Sequence, residues 1–403
     1  MGNVLRIAIR NVVRNRRRTA ISAAAIFLGV CVMVSIRGFV NGFQNSMIDN
    51  TTNTTLGAFQ VHRTGFGTSI EISPLTLDFA VTPDLVSKLR SLPGTTGVAA
   101  RIRFPLMVSR GDQTVFAFAS AVDPTNEYAV CPLASSIVDT GTALSTAPGM
   151  LISSQLAQAL PAHVGDTLAL IANDRDGVMN GLELPVVGIF TGRFPGMEKS
   201  IIVPLLSAQA LLRMEGRATE LAVGMRDVRA ADGPAAEAAR LLGAGYEVET
   251  WRDIAKQLKD IIEFQNVLLP VISVIFLVVA LAGIVNTMMM SVLERVREIG
   301  TMMAMGVRRR QIVGLFVTEA AALGLVAGLF GDFAGWVVVQ ILHVRGIHLG
   351  VPGVTADNVL RPTVAVSFLA TTAVLAMAGA VLASLYPAWS ASRLRPVEAL
   401  QHV

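Results

Sequence analysis

The chain has 403 residues, 52% hydrophobic and 15% charged, with a formal net charge of +4. That balance is more apolar than a water-soluble domain of this size needs, and it excludes a disordered chain. The excess of positive charge falls on short flanks of apolar runs, which points to anionic lipid and a partner surface rather than to nucleic acid.

The chain opens on a basic arm carrying Arg6, Arg10, Arg14, Arg16, Arg17 and Arg18, followed by an apolar run over Thr19–Phe39. About 20 such residues cross ~30 Å of hydrocarbon. The run is longer than a signal-peptide core, and no Ala-x-Ala site leads cleanly into a mature domain, so a retained anchor is expected. Beyond it Phe39, Phe43 and Met47 recur every four residues with Ile48 beside them, predicting that the helix continues as a stalk to Asp49.

The segment from about 40 to 266 carries 17 basic and 23 acidic residues, a net of −6 against +10 for the remainder. Its texture is mixed α and β. Ala58–Arg63 alternates like a strand, and Arg103–Asp123 reads as a hairpin turning at Arg110–Gln113. A helix is expected over Leu151–Leu160, strands after Gly165 and over Leu184–Phe190 and Ser200–Pro204, and helices over Ser207–Met214 and Asp232–Gly243. A second amphipathic stalk, with Ile254, Leu258, Ile261, Ile262 and Gln265 on one stripe, leads into the next apolar run. The two stripes pack together or lie on the membrane surface. Cys31 falls in the first span and Cys131 in this domain, so no internal disulfide is expected.

Three further runs, Val267–Leu293, Val313–Leu342 and Val364–Tyr386, complete a pattern of one plus three spans. The expected fold is thus four transmembrane helices with a large α+β domain between the first and second. The expected boundaries are 1–41, 42–265 and 266–403. Counting arginines near the spans gives 13 on the arm, the 294–312 connector and the tail, against Arg345 and Arg361 on the remaining loop. The positive-inside rule then places both termini and the connector in the cytoplasm.

The connector Glu294–Ile312 holds the clearest functional signal. Ser291–Met305 can form a helix with Ile299, Met302 and Met303 on one side and Arg295, Glu298 and Met305 on others, while Gly306 suits a left-handed cap. Such a helix either docks in a groove on a soluble motor or is a solvated loop kept inside by its arginines. In the third span Ala320, Gly324, Gly328, Gly331 and Gly335 form a small-residue face, expected to pack helices or a dimer closely. Glu319 lies within the same span, where a proton relay competes with pairing to a connector arginine.

Catalytic signatures are missing. No phosphate-cradle motif occurs, and Gly192–Ser200 has the wrong spacing for one. The histidines are scattered, and Asp174–Gly181 lacks the glutamate that closes a calcium loop, so a polar hairpin turn is expected there.

The string Glu294-Arg-Val-Arg-Glu-Ile-Gly, the run Met303–Ile312 and Glu319-Ala together resemble the coupling-helix signature of ABC transporter permeases of the MacB/FtsX/LolC–LolE type. Arg10–Thr19 is similar to that family's N-terminal arm and Tyr386–Leu400 to its tail, so the likeness covers the whole membrane portion. The resemblance implies mechanotransmission: a separate ATPase subunit, which would bind ATP and magnesium, moves a pair of permease chains and their extracytoplasmic domains. This chain would need no cofactor and would not itself be an enzyme. By position in the motif, Arg295, Glu298, Met302, Met305 and Gly306 would contact the ATPase, while the small-residue spacing of Gly324, Gly328, Gly331 and Gly335 is what would pack the dimer.

Gly38–Phe43 followed by Phe59–Arg63 is similar to the opening of the LolC/LolE branch. That likeness implies extraction of lipoproteins from a bacterial inner membrane, with Phe39, Phe43, Met47, Ile261 and Phe264 meeting acyl chains. A MacB-like exporter of peptides or amphiphiles with an adaptor and outer-membrane channel, or an FtsX-like regulator of a periplasmic enzyme, would carry the same membrane motifs.

Overall fold

A computed structural model describes residues 16–67, 74–132, 134, 138–191, 198–348 and 359–393. The arm before Arg16, most of the Gly192–Ser200 string and the tail beyond Arg393 lie outside the described residues. The chain divides into two compact units: Met1–Gln44, Ile262–Ile347 and Leu360–Val403 form one, Asn45–Ile261 with His348–Val359 the other.

The first unit is built on four helices long and apolar enough to cross a membrane. Span one runs through Arg16–Thr51, span two through Lys256–Glu294, span three through Arg309–Arg345 and span four through Val366–Ser392. Side chains of all four meet in one apolar core: Ile26, Val30 and Val34 from span one, Ile284 and Met288 from span two, Ala320 and Ala327 from span three, Ala376 and Ala380 from span four. The second stalk begins at Lys256, not at Ile254, which ends a separate short turn of helix, Trp251–Ile254. The stalks do pair: Gln44 Nε2 donates to Gln265 Oε1 at 2.9 Å.

The second unit is an α/β domain, with twelve strands among the described residues of Asn45–Ile261. In chain order they are β1 (Phe59–Arg63), β2 (Phe79–Ala80), β3 (Thr95–Arg110), β4 (Gln113–Val122), β5 (Val138–Gly141), β6 (Met150–Ser153), β7 (Thr167–Asn173), β8 (Met179–Phe190), β9 (Ser200–Pro204), β10 (Arg217–Ala218), β11 (Glu220–Met225) and β12 (Tyr246–Thr250). The main sheet runs β12-β1-β11-β3-β4-β9-β6-β8-β5, with β7 paired to both β3 and β8. Through β7 six strands, β3-β4-β9-β6-β8-β7, pair in a closed ring. Residues alternate across its wall. Phe104, Leu106 and Val108 of β3, Ala117 and Ala119 of β4, and Leu168 and Leu170 of β7 fill the interior. Pro105, Met107, Phe116 and Phe118 turn outward.

The long strand β3 is shared. Its first half pairs with β11, in the open part of the sheet, and its last residues pair with β7 in the ring. The helix expected over Leu151–Leu160 is shorter than predicted. Leu151–Ser153 belong to β6, and Ser153 Oγ caps a helix that covers only Ser154–Ala159.

Candidate functional site

The connector between spans two and three is a short helix, Val296–Ala304, delimited by two breaks. At Arg295 (φ −108°, ψ 13°) the long helix of span two stops. At the other end Gly306 takes φ +91°. Its N–H donates to Met303 O, and the Val307 N–H to Met302 O, at 3.0 and 3.1 Å. This paired closure is the Schellman arrangement, for which glycine is the favoured residue. Gln311 then accepts from the Arg308 N–H at 2.9 Å and starts span three. The helix is therefore shorter than Ser291–Met305, because Ser291–Glu294 continue span two.

One face of this helix is buried. Val296, Ile299 and Gly300 are covered, and Met302 and Met303 pack half-buried against a core that includes Val292, Ile312, Phe316 and Ala388. The opposite face, Arg297, Thr301, Ala304 and Met305, is exposed, with Met305 at 77%, and Arg308, Arg309 and Arg310 extend it. These positions recur at three- and four-residue spacing, so they form one stripe.

Arg295 lies inside rather than on that stripe. Its Nε bonds Glu298 Oε2 at 3.1 Å and its Nη1 lies 3.7 Å from Glu319 Oε2. Glu319 is thus paired to a connector arginine, the simpler of its two sequence readings. Of the five residues expected to meet an ATPase, Met305 and Gly306 are on the open face and Glu298 is half-buried at its edge. Arg295 and Met302 turn inward. Arg297, Thr301, Ala304 and Arg308 lie on the same open face, outside that set of five. The spacing of Val296, Ile299, Gly300 and Met303 would have found them, since the buried stripe fixes the open one.

The glycine stripe expected at a dimer interface is occupied within the chain instead. A methyl group added at Gly324 would lie 2.6 Å from Ala380 Cβ, and one at Gly328 3.0 Å from Ala376 Cβ, both on span four. One at Gly331 would meet Phe27 O at 2.8 Å, and one at Gly335 Val34 Cβ at 2.8 Å, both on span one. All four glycines are buried. Span three is small-faced because two other helices approach it closely on successive turns. Among the apolar stalk residues, Phe39, Ile261 and Phe264 are exposed, Phe264 to 65%, while Phe43 and Met47 are half-buried.

In the second unit the Asp174 carboxylate is consumed by its own turn. It accepts from the N–H groups of Asp176 and Val178 at 3.0 and 2.8 Å and from Asn180 Nδ2 at 2.9 Å. The Val178 N–H bond foremost holds it below the usual carboxylate range. This is the hairpin turn between β7 and β8. Among the described residues, no three His, Cys, Asp or Glu side chains converge as a metal ion requires.

A membrane-embedded four-helix unit with this connector, interrupted after its first helix by an α/β domain, is matched by two families. The MacB-like periplasmic core domain matches residues 19–241, and the FtsX-like permease C-terminal domain residues 270–396. The chain belongs to the MacB/FtsX family of ABC transporter permeases. A macrolide export ATP-binding/permease protein MacB from Nitrobacter winogradskyi is 26% identical over 96% of this chain and 58% of its own length. A lipoprotein-releasing system transmembrane protein LolC from Xylella fastidiosa is 23% identical over 100% of both chains. This permease spans only 21% of a second MacB, from Rhodopirellula baltica. The solved periplasmic region of an Actinobacillus actinomycetemcomitans MacB superposes on 51% of the chain, with 12% identity and a TM-score of 0.36.

Proposed function

We propose that this permease converts the ATP-driven motion of a separate nucleotide-binding subunit into movement of its extracytoplasmic domain, and that it extracts lipoproteins from the bacterial inner membrane for transfer outward. The observation that carries the first half is the connector. Arg297, Thr301, Ala304 and Met305 form an open face on a helix locked at both ends, with Arg308–Arg310 beside it. A short amphipathic helix with a basic apolar free face suits an acid-lined groove on a motor. Both termini and the connector are cytoplasmic by the arginine count, which leaves the second unit outside. ATP and magnesium belong to the motor subunit, and two permease chains work as a pair.

For the cargo, support comes from the end-to-end similarity to a LolC and from Phe39 and Phe264, which stay exposed where the stalks begin. The match of residues 19–241 to the MacB core favours a second reading, export of peptides or amphiphiles. The test is to purify the permease with its motor in lipid nanodiscs and to add ATP in the presence of a triacylated lipoprotein and an acceptor. Release of the lipoprotein on hydrolysis supports the first reading. ATPase activity that ignores lipoprotein but rises with a macrolide or amphipathic peptide sinks it in favour of the second.

A further inference from the structure

The second unit holds a cavity that nothing in the transport reading uses. Its volume is about 400 Å³, within the ~300–1,000 Å³ of small-molecule sites. It lies against the outer wall of the six-stranded ring, where Phe118 of β4, Ile202 of β9 and Leu151 of β6 form an apolar floor. Tyr128 stands over it, its hydroxyl donating to Leu144 O at 2.9 Å. Met107 and Phe116 continue the apolar surface past Phe118 into solvent.

One end is polar and unusually built. After span one the helix widens into a π-turn, Thr52–Leu56, which brings Thr54 and Thr55 to the cavity. Arg101 Nη1 donates to Thr55 O at 2.6 Å and fixes the turn. Thr54 is 5% exposed, and its Oγ1 and that of Thr55 are buried with no hydrogen-bond partner among the described residues. Buried hydroxyls are rarely left so without a ligand or water. Arg103 lines the same end, with Nε on Glu220 Oε2 at 3.3 Å. Around it Arg101 and Arg103 face Glu127 and Glu220, so the charges balance, and Arg101 is already saturated by both carboxylates, Thr55 O and Cys131 Sγ. Two arginines against two carboxylates leave that end without net charge, so an anionic headgroup would meet no excess of positive charge there. An uncharged oxygen acceptor would find two free hydroxyls.

The geometry points to a binding site for one fatty acyl chain, held through its uncharged ester or amide carbonyl at Thr54 and Thr55, with the hydrocarbon over Phe118 and Ile202. This deepens the reading of the chain as a permease for acylated cargo and rests on it for the source of the chain. It does not rest on it for the site.

The probe is a monoacylglycerol with a diazirine in its acyl chain, photolysed with the full-length permease in detergent and mapped by peptide mass spectrometry. Adducts on β4 and β9 are expected. Ser120→Phe, which fills the cavity from the outward face of β4, should lower them at least tenfold. Thr54→Val should weaken probe binding about fivefold, the effect of one hydrogen bond. Adducts confined to the four spans, or undiminished adducts in a folded Ser120→Phe variant, overturn the site. If Ser120→Phe does not fold, Thr54→Val decides: unchanged affinity rejects the carbonyl contact. A free fatty acid should compete at least tenfold less well than the ester, and equal competition also rejects it. A triacylated cysteine peptide or a phospholipid should displace the probe, distinguishing cargo from membrane lipid, and displacement by neither counts against the proposal. ATP-coupled release can fail while the adducts persist, and the adducts can fail while release persists, so the two readings fall separately.

Discussion

Arg101 makes five side-chain hydrogen bonds within the second unit. Its fully buried guanidinium joins Glu127 of the helix Pro124–Val130, Glu220 of β11 and the π-turn after span one. Breaking such a group by removing one member costs about 3–5 kcal/mol, because the partner charges stay buried. Arg101→Met should therefore lower unfolding stability by that amount in tryptophan-monitored denaturation, and Arg101→Met with Glu127→Gln and Glu220→Gln should cost less. Burial would raise the Glu220 carboxyl, but Arg103 and Arg101 outweigh it and hold it below the usual range. Its stabilising share is present above the unfolded carboxylate value near ~4.3 and is lost as pH falls through the folded one. His62 shifts for another reason. Burial lowers its pKa, so the folded state favours the neutral ring, stacked 4.5 Å from Phe66. Unfolded chains protonate near ~6.5, so stability falls as pH drops below that. His62→Gln should flatten the melting-temperature profile between about pH 5 and 7 while leaving the steeper loss at lower pH. Burial pushes the Cys131 thiol up to about 12, so maleimide should modify it at neutral pH only after denaturation.

At the scale of elements, the connector helix separates the face proposed to dock a motor from the face that supports the spans. Arg297→Glu combined with Met305→Glu should cut ATPase coupling at least tenfold and leave the thermal stability of the permease alone unchanged. Arg295→Glu should do the reverse first, since it sets a third carboxylate beside Glu298 and Glu319. Gly306→Ala, at φ +91°, should cost about 1–2 kcal/mol and shorten the helix. Gly331→Leu should lower thermal stability by driving span one away, in monomeric and paired permease alike, as size-exclusion chromatography with thermal scanning would show. The connector was legible because charge between two apolar runs is a compositional signal. Its facing was not, because Arg295 and Met302 look as free in the string as Arg297 does. Strands β7 and β9 were legible as short apolar runs, the first set off by the turn at Gly165. Strand β11 was not: all of Glu220–Met225 is buried, so no alternation exists to find. In β1, Gln60 and His62 are buried polar residues satisfied by Leu56 O and Thr219 O, bonds that no spacing announces.

For the molecule as a whole, opposite charge on the two parts of the chain makes the topology testable. A single cysteine at Asp112, on the β3–β4 turn, should react with an impermeant maleimide added to intact spheroplasts, and one at Arg309 only after lysis. The reverse pattern would invert the permease and leave the connector without access to a cytoplasmic motor. The four-span pattern and the interrupting domain were visible in the sequence because hydrocarbon thickness imposes a minimum run length. The closed ring was not, because its closure depends on which distant strand β7 finds on its second edge.

The pairing of β1 has a further consequence, for the order in which the protein is made. β1 bonds only to β11 and β12 among the described strands. Both are synthesised about 160 or more residues after it, which at ~5–20 residues per second is a wait of roughly 10–30 s. During that interval span one is already available to the bilayer, while the first strand after it has no edge to join. The ring can close as soon as β9 emerges, so the middle of the domain folds before its beginning. A newborn chain is therefore most open to proteases just past its first anchor, and a holding factor for this permease would have to bind there.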